Sequence, residues 1–274
     1  MDVRDLRGAT VLVTGAGSGI GRELARACAR RGARIALCEL DETRLEEVQH
    51  ELVGLGCEVH ARRVDVGSAS EMEGFAAGVH REWGPVDLLV NNAGVGLGGS
   101  FLDTTLDDWQ WIARTNFFGV VHGCHFFVPA MVKRGRPGHV VNVASAAAYA
   151  PLPAQSAYAA TKYAVLGLSV AMQAELRHEG VGVTAVCPGF IDTPIVARAR
   201  LRGVAGDTAT RERTAAFYRR RGYGPERVAR NTLRAVQRGR LVAPISLEAW
   251  LLYYASRAAP GLLSWVNGRL ARRV

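Results

Sequence analysis

Apolar residues along this chain come in short, β-branched runs, and stretches with apolar positions three and four apart separate each run from the next. ATVLVT at 9–14 predicts a strand, GAGSGIG a tight turn and RELARACARRG a helix. ARIALCEL at 33–40 and CEVHARRVDV at 57–66 predict two more strands. Ser68 and Glu71 have the spacing of a capping box that opens a helix, and PVDLLVNNAG at 85–94 is an apolar strand ending in a polar turn. Beyond it, 104–133 predicts a long helix, HVVNVAS a strand, 156–179 a second long helix and VGVTAVCPG a strand. Apolar strands separated by helices of this length predict an α/β fold, a doubly wound parallel sheet with helices on both faces. No linker, repeat or low-complexity stretch divides the 274 residues. Residues 1–245 are therefore expected to form one domain, followed by a basic amphipathic extension at 246–274.

In such sheets ligands bind beyond the carboxyl ends of the strands, and Gly15, Glu39, Asp65, Asn91, Ser145 and Pro188 all fall there. Glycines between a strand and a helix let the backbone approach a pyrophosphate at the helix N-terminus, where free N–H groups and the macrodipole favour an anion. Glu39, at the end of the second strand, stands where a dinucleotide fold uses an acid to hold the adenosine ribose. Its carboxylate would repel a 2′-phosphate, which favours NAD over NADP. Arg22, one residue past the glycine turn, argues the other way.

Tyr158 and Lys162 lie four residues apart in QSAYAATKYAVLGL, an offset that puts both on one helix face. A phenol has a reference pKa of about 10, and a neighbouring ammonium is expected to draw it toward the working range of an acid or base. Lys133 and Lys162 are the two lysines among 34 basic residues, so a lysine at 162 points to a compact, rotatable ammonium.

These motifs together resemble the single-domain branch of the short-chain dehydrogenase/reductase family over residues 8 to 195. Thr14-Gly15-x-x-x-Gly19-x-Gly21 resembles its cofactor turn, Asn91-Asn92-Ala93-Gly94 its central-strand motif, and Tyr158-x-x-x-Lys162 its active-site motif. Ser145 precedes Tyr158 by thirteen residues as the family's catalytic serine does, Asn116 matches its helix asparagine, and Pro188-Gly189 with Thr193 resembles the segment over the nicotinamide. The resemblance implies that residues 1–245 are a catalytic domain with a substrate lid at about 190–224, and that Asn116, Ser145, Tyr158 and Lys162 carry catalysis. It also implies cofactor contacts from Gly15, Ser18, Gly19, Ile20 and Gly21, from Glu39, Asp65 and Val66, from Asn91 through Gly94, and from Pro188, Gly189, Ile191 and Thr193 besides Tyr158 and Lys162. Tyr158 would exchange a proton with the substrate oxygen, Ser145 would hold that oxygen, Lys162 would also hold the nicotinamide ribose, and Asn116 would fix a water. A homodimer or homotetramer through the helices from 104 and 156 is expected on the same ground.

Charge adds a feature the motifs lack. Residues 1–194 carry a net charge of −4 and residues 195–274 a net of +13. The segment from Ile245 sets Trp250, Leu251, Leu252, Tyr253, Tyr254, Leu262, Leu263 and Trp265 beside Arg257, Arg269, Arg272 and Arg273, a composition suited to peripheral contact with an anionic membrane or to packing on the catalytic domain, a neighbouring subunit or the substrate pocket. It is too short and interrupted to span a bilayer. The arginines are scattered with no recognition motif, so no nucleic-acid partner is expected. Phe217, Tyr218 and Tyr223, with Tyr149, Leu152 and Phe190, would wall an apolar pocket for a hydrophobic alcohol or ketone. Five scattered cysteines and an N-terminus without an apolar targeting core fit a cytoplasmic protein. His122, Cys124 and His125 sit on one helix without a further acid, so no metal is expected. An NADP-linked 3-ketoacyl or carbonyl reductase is the alternative enzyme; a nucleotide-sensing or membrane-docked binding protein is the alternative outside catalysis.

Overall fold

The computed structural model describes the backbone of residues 1–206 and 208–271. In chain order its elements are β1 (Thr10–Thr14), α1 (Gly19–Ala29), β2 (Arg34–Glu39), α2 (Glu42–Gly54), β3 (Val59–Arg63), α3 (Ala69–Trp83), β4 (Leu88–Asn91), β5 (Leu97–Gly98), α4 (Leu106–Ala113), α5 (Gly119–Lys133) and β6 (Gly138–Val143). The second half adds α6 (Ser156–Leu176), β7 (Val181–Cys187), β8 (Arg200–Leu201), α7 (Thr208–Arg221), α8 (Pro225–Gln237), β9 (Val242–Pro244), α9 (Leu247–Ala258) and α10 (Pro260–Ala271). Arg272 and Arg273 lie outside the described residues.

Seven parallel strands form one sheet in the order β3-β2-β1-β4-β6-β7-β9, and β5 pairs with β8 apart from it. After β3 the chain returns to the middle of the sheet, so β1 and β4 run side by side and open a crevice beyond their carboxyl ends. Alternate residues of β1 feed opposite layers: Val11 and Val13 pack with Leu24, Cys28 and Leu233, whereas Leu12 packs with Phe75, Phe127 and Met131. Each such fully buried aliphatic side chain contributes roughly 1.5–3 kcal/mol, which explains why the strands are apolar on both faces.

The helix expected over 104–133 divides. Thr105 caps α4 through a reciprocal capping box with Asp108, and a π-helical turn at Arg114–Phe118 joins α4 to α5. The helix expected over 156–179 ends at Leu176 and finishes in a 3₁₀ turn, closed by Gly180 at φ 74°. Half of the capping box expected at α3 forms: Ser68 accepts from the Glu71 N–H, but the Glu71 carboxylate accepts from the Asp65 N–H at 2.9 Å. The lid segment contains β8 and α7, and β9 supplies an edge strand that the hydrophobic pattern does not announce. β9 spans three residues and ends in Pro244, which an edge position tolerates because one side of its backbone needs no partner.

Candidate active site

The glycine turn is fixed from β4. Asn92 Nδ2 donates to the carbonyls of Thr14 and Gly15 at 2.9 and 3.0 Å, while Thr14 Oγ1 accepts from the Asn92 and Ala93 N–H groups. Gly15 adopts φ 62°, and a Cβ there would lie 2.7 Å from Ala93 Cα. At Gly21 a Cβ would lie 2.3 Å from the Gly15 carbonyl oxygen, so this glycine seats α1 under the turn and does not face the cavity. Ser18 precedes α1 without capping it, and the first turn holds no acid. The N–H groups and positive dipole end of α1 are therefore open to an anion, which fits a pyrophosphate.

Beyond the strand ends lies one cavity of about 960 Å³. At one end is Glu39, whose carboxylate accepts from the N–H groups of Gly17, Leu40 and Asp41. Arg22 turns away to Glu51 at 2.8 Å and does not line the cavity. Arg44, which the sequence reading passed over, does line it, and Asp41 holds its guanidinium at 2.6 Å. Asp65 and Val66 form the adjoining wall, with the Asp65 carboxylate paired to Arg114 and accepting from the Gly67 N–H.

At the other end stand Ser145, Tyr158 and Lys162. Ser145 is delivered by the carboxyl end of β6, where its Oγ accepts from the Ala147 N–H and also bonds the Tyr158 hydroxyl. Tyr158 and Lys162 leave the same face of α6, with Nζ 5.8 Å from the phenol ring centroid. Contrary to expectation, the ammonium does not govern the phenol. Burial raises the Tyr158 pKa, with the Ser145 bond acting in the opposite sense. Lys162 is 3% exposed, donates to the Val143 carbonyl at 2.9 Å, and burial lowers its pKa to about 8.

Ser18, Gly19, Ile20, Ala93, Gly94, Pro188, Gly189, Ile191 and Thr193 complete the lining, whereas Asn91 and Asn116 stand behind it. Asn91 is the last residue of β4 and points opposite to Asn92, so its Nδ2 reaches Asn142 Oδ1 and Cys124 Sγ. α5 lies so close there that a Cβ on Gly123 would be 2.0 Å from Asn91 Oδ1. Asn116 sits in the π turn, wholly buried, and clamps Val95: Oδ1 accepts from its N–H and Nδ2 donates to its carbonyl. The second Nδ2 hydrogen serves Thr161 Oγ1, which leaves this amide no N–H for the expected water. His122 bonds the Val66 carbonyl, and among the described residues no three metal-ligating side chains converge.

The apolar wall differs from the expected one. Leu152, Phe190 and Tyr218 line the cavity, joined by Leu97, Trp111, Ile195, Leu201 and Leu252. Tyr149 and Tyr223 are framework residues, donating to the carbonyls of Ala249 and Ile245. Phe217 packs against Phe190 from outside and is 47% exposed. Leu252 comes from α9, inside the segment read as an extension, and Glu248 of that helix bonds both Arg221 of α7 and the Phe190 N–H. The segment expected as a lid is also tied down by Arg202, which forms a fork with the buried Asp108 at 2.7 and 2.8 Å and holds that carboxyl well below its usual range.

This arrangement has known counterparts. The family model for the short chain dehydrogenase matches residues 9–202. The chain is 42% identical over 257 residues to a protein of Mycobacterium bovis called probable oxidoreductase EphD, a match covering 92% of this chain but 43% of that protein, so the chain spans less than half the length of this relative. It is 33% identical over 280 residues to the dehydrogenase/reductase SDR family member 7B of Bos taurus, covering 98% and 83% of the two. Among solved structures it is similar to a short-chain dehydrogenase/reductase of Burkholderia phymatum in complex with NAD, with TM-score 0.82, 31% identity and coverage of 92% and 93%. An actinorhodin polyketide ketoreductase variant with NADPH gives TM-score 0.76 at 32% identity, covering 86% and 95%. With the glycine turn, the strand order and the Tyr158–Lys162 helix in one crevice, the chain belongs to the short-chain dehydrogenase/reductase family.

Proposed function

We propose that the chain is an NAD-dependent oxidoreductase that interconverts a hydrophobic secondary alcohol and its ketone. One observation carries the reading: a continuous cavity has the glycine turn and Glu39 at one end and Ser145, Tyr158 and Lys162 at the other, beside an apolar wall. A bound dinucleotide supplies a hydride acceptor or donor at its nicotinamide ring. The N-terminus of α1 would hold its pyrophosphate, and the Glu39 carboxylate would accept hydrogen bonds from its adenosine ribose hydroxyls. Ser145 Oγ and Tyr158 Oη grip the substrate oxygen, and Oη takes its proton in oxidation or returns one in reduction. Lys162 keeps a positive charge beneath this pair below about pH 8. Asn116 is a positioning residue, holding the Val95 backbone so that Gly94 keeps its place beside Lys162 Nζ. Leu97, Trp111, Leu152, Tyr218 and Leu252 favour a fatty or polycyclic substrate over a sugar or small acid. Phe118, Tyr163 and Val170 leave apolar surface exposed on the helices that would pair two copies. The five unpaired cysteines support a reducing, cytoplasmic setting.

A second reading rests on Arg44. If its guanidinium leaves Asp41 for a 2′-phosphate, the chain becomes an NADP-linked carbonyl or 3-ketoacyl reductase. Parallel fluorescence titrations with NADH and NADPH decide between them. NADH is expected to bind tighter by about tenfold or more; tighter NADPH binding would transfer the assignment to the reductase, and binding of neither would end both.

A further inference from the structure

Apart from the catalytic cavity, a pocket of about 200 Å³ is lined by Asn231 and Arg234 of α8, by Arg238 just beyond it, by Arg240 and Ile245, and by Trp250 of α9. Several arginines elsewhere in the fold find carboxylates: Arg26 pairs with Glu51, Arg134 with Asp87, Arg202 with Asp108 and Arg221 with Glu248. Among the described residues none of Arg234, Arg238 and Arg240 has such a partner. Arg234 donates to Asn231 Oδ1 at 3.3 Å, and the Arg240 guanidinium lies 5.3 Å from the Trp250 ring centroid. The carboxyl end of α8 offsets part of this charge through its dipole. Three guanidiniums around one pocket still exceed what half a charge offsets, and their planar forks match phosphate oxygens.

Trp250 connects this pocket to an apolar stripe. Leu247, Leu251 and Tyr254 occupy positions i, i+4 and i+7 of α9 and are 74%, 62% and 61% exposed, and Tyr254 stacks on Trp250 with centroids 5.7 Å apart. The opposite side of α9 is anchored by the buried Ala249 and by Leu252 in the cavity wall, so the stripe stands on a fixed helix. α10, which is held by Leu263 packed against the core and by a bond from Asn267 to the Pro151 carbonyl, exposes Leu262, Trp265 and Leu270, with Arg269 4.2 Å from the Trp265 ring centroid. Cations over aromatic rings beside exposed leucines match the layered polarity of a phospholipid headgroup region. None of the described helices is long and apolar enough to cross a membrane. A second copy of the chain fits this face poorly, because an isologous contact would bring the uncompensated arginine pockets together.

We propose that α9 and α10 dock the chain on an anionic phospholipid surface, with a lipid phosphate in the Arg234–Arg238–Arg240 pocket and Leu247, Leu251 and Tyr254 at the boundary of the acyl layer. The test is co-sedimentation of the full chain with phosphatidylcholine vesicles and with vesicles carrying about 30% phosphatidylglycerol, a charge density that attracts basic segments at low salt. The chain is expected to bind the anionic vesicles about tenfold or more tighter, less so as salt rises. Replacing all three arginines (R234Q, R238Q and R240Q) and, separately, both leucines (L247S and L251S) should each lower vesicle affinity about tenfold or more. NADH titration and circular dichroism of these variants check that each is folded. Absence of vesicle binding at low salt overturns the proposal, as does equal vesicle binding by the triple-arginine variant. Inorganic phosphate binding without vesicle binding would assign the pocket to a free anion and overturn the lipid surface. Self-association abolished by L247S and L251S would assign the stripe to a second copy with the same result.

Discussion

Lys162 loses nearly all its water in the fold and recovers one hydrogen bond, donated to the Val143 carbonyl, which cannot replace a hydration shell. Its charged form is therefore disfavoured, and the side chain turns neutral above about pH 8. Burial keeps Tyr158 protonated beyond that point, so in the reductive direction the acid stays loaded while the ammonium beneath it is lost. Reductive kcat/KM should hold steady below about pH 8 and decline above it, roughly tenfold per pH unit at the limit, since this ratio reports the free enzyme. A profile flat to about pH 9.5 would separate the Lys162 charge from the rate. Tyr158→Phe should reduce turnover by about a hundredfold or more and leave NADH affinity nearly unchanged; turnover within threefold of the parent would remove Tyr158 from the chemistry. Residues placed by fixed backbone positions were legible in sequence, and Glu39, Ser145 and Tyr158 all line the one cavity, Glu39 at one end and the other two at the opposite end. Arg114 was not, because its direction is set by Asp65, distant in sequence, and Arg44 was not, because its local partner Asp41 does not reveal that α2 sets it at the cavity edge. The opposite directions of Asn91 and Asn92 follow from strand alternation, but their pairing with Asn142 and Thr14 needs the sheet order.

Strands β1, β4 and β6 were legible because buried strands must be apolar on both faces, whereas β9 is three residues at an edge and carries no such signal. The π turn escaped for another reason. One extra residue in a helical turn leaves the apolar pattern almost intact while redirecting Asn116 toward Val95. β6 and β7 also share a buried polar pair that sets a pH limit. Thr184 donates its hydroxyl hydrogen to the Arg240 carbonyl, so it must accept from His139, which fixes the neutral imidazole with its proton on Nε2. Burial lowers the His139 pKa to about 4. The unfolded chain takes up this proton near pH 6.5 and the folded chain does not, so stability rises with pH between the two values and is lost on acidification. Urea denaturation should show about 3 kcal/mol less stability at pH 4 than at pH 7 from this residue. His139→Gln, which keeps a donor for Thr184, should remove that part of the slope; an unchanged slope would exonerate the imidazole.

The whole molecule divides its charge sharply, with a net of −4 before residue 195 and +13 after it, and a fold description that stops at the matched residues 9–202 leaves nearly all the excess basic charge unexplained. The cavity crosses that division. Its lining begins at Gly15 in the first turn, passes through Glu39, Asn92, Trp111, Ser145 and Thr193, and ends at Leu252, so both layers of helices and both halves of the sheet contribute to one space. Whatever fills it binds the folded state alone, because the unfolded chain brings none of these segments together. Melting temperature therefore counts occupancy. NADH at about a hundred times its Kd should add about 2.7 kcal/mol and raise Tm by roughly 5 to 10 °C. A shift absent at that concentration would mean that the glycine turn and Glu39 do not hold a dinucleotide together. With cofactor in place, hydrophobic alcohols and ketones can be ranked by the further heat each lets the fold withstand, and a substrate can be recognised by calorimetry before any turnover is seen.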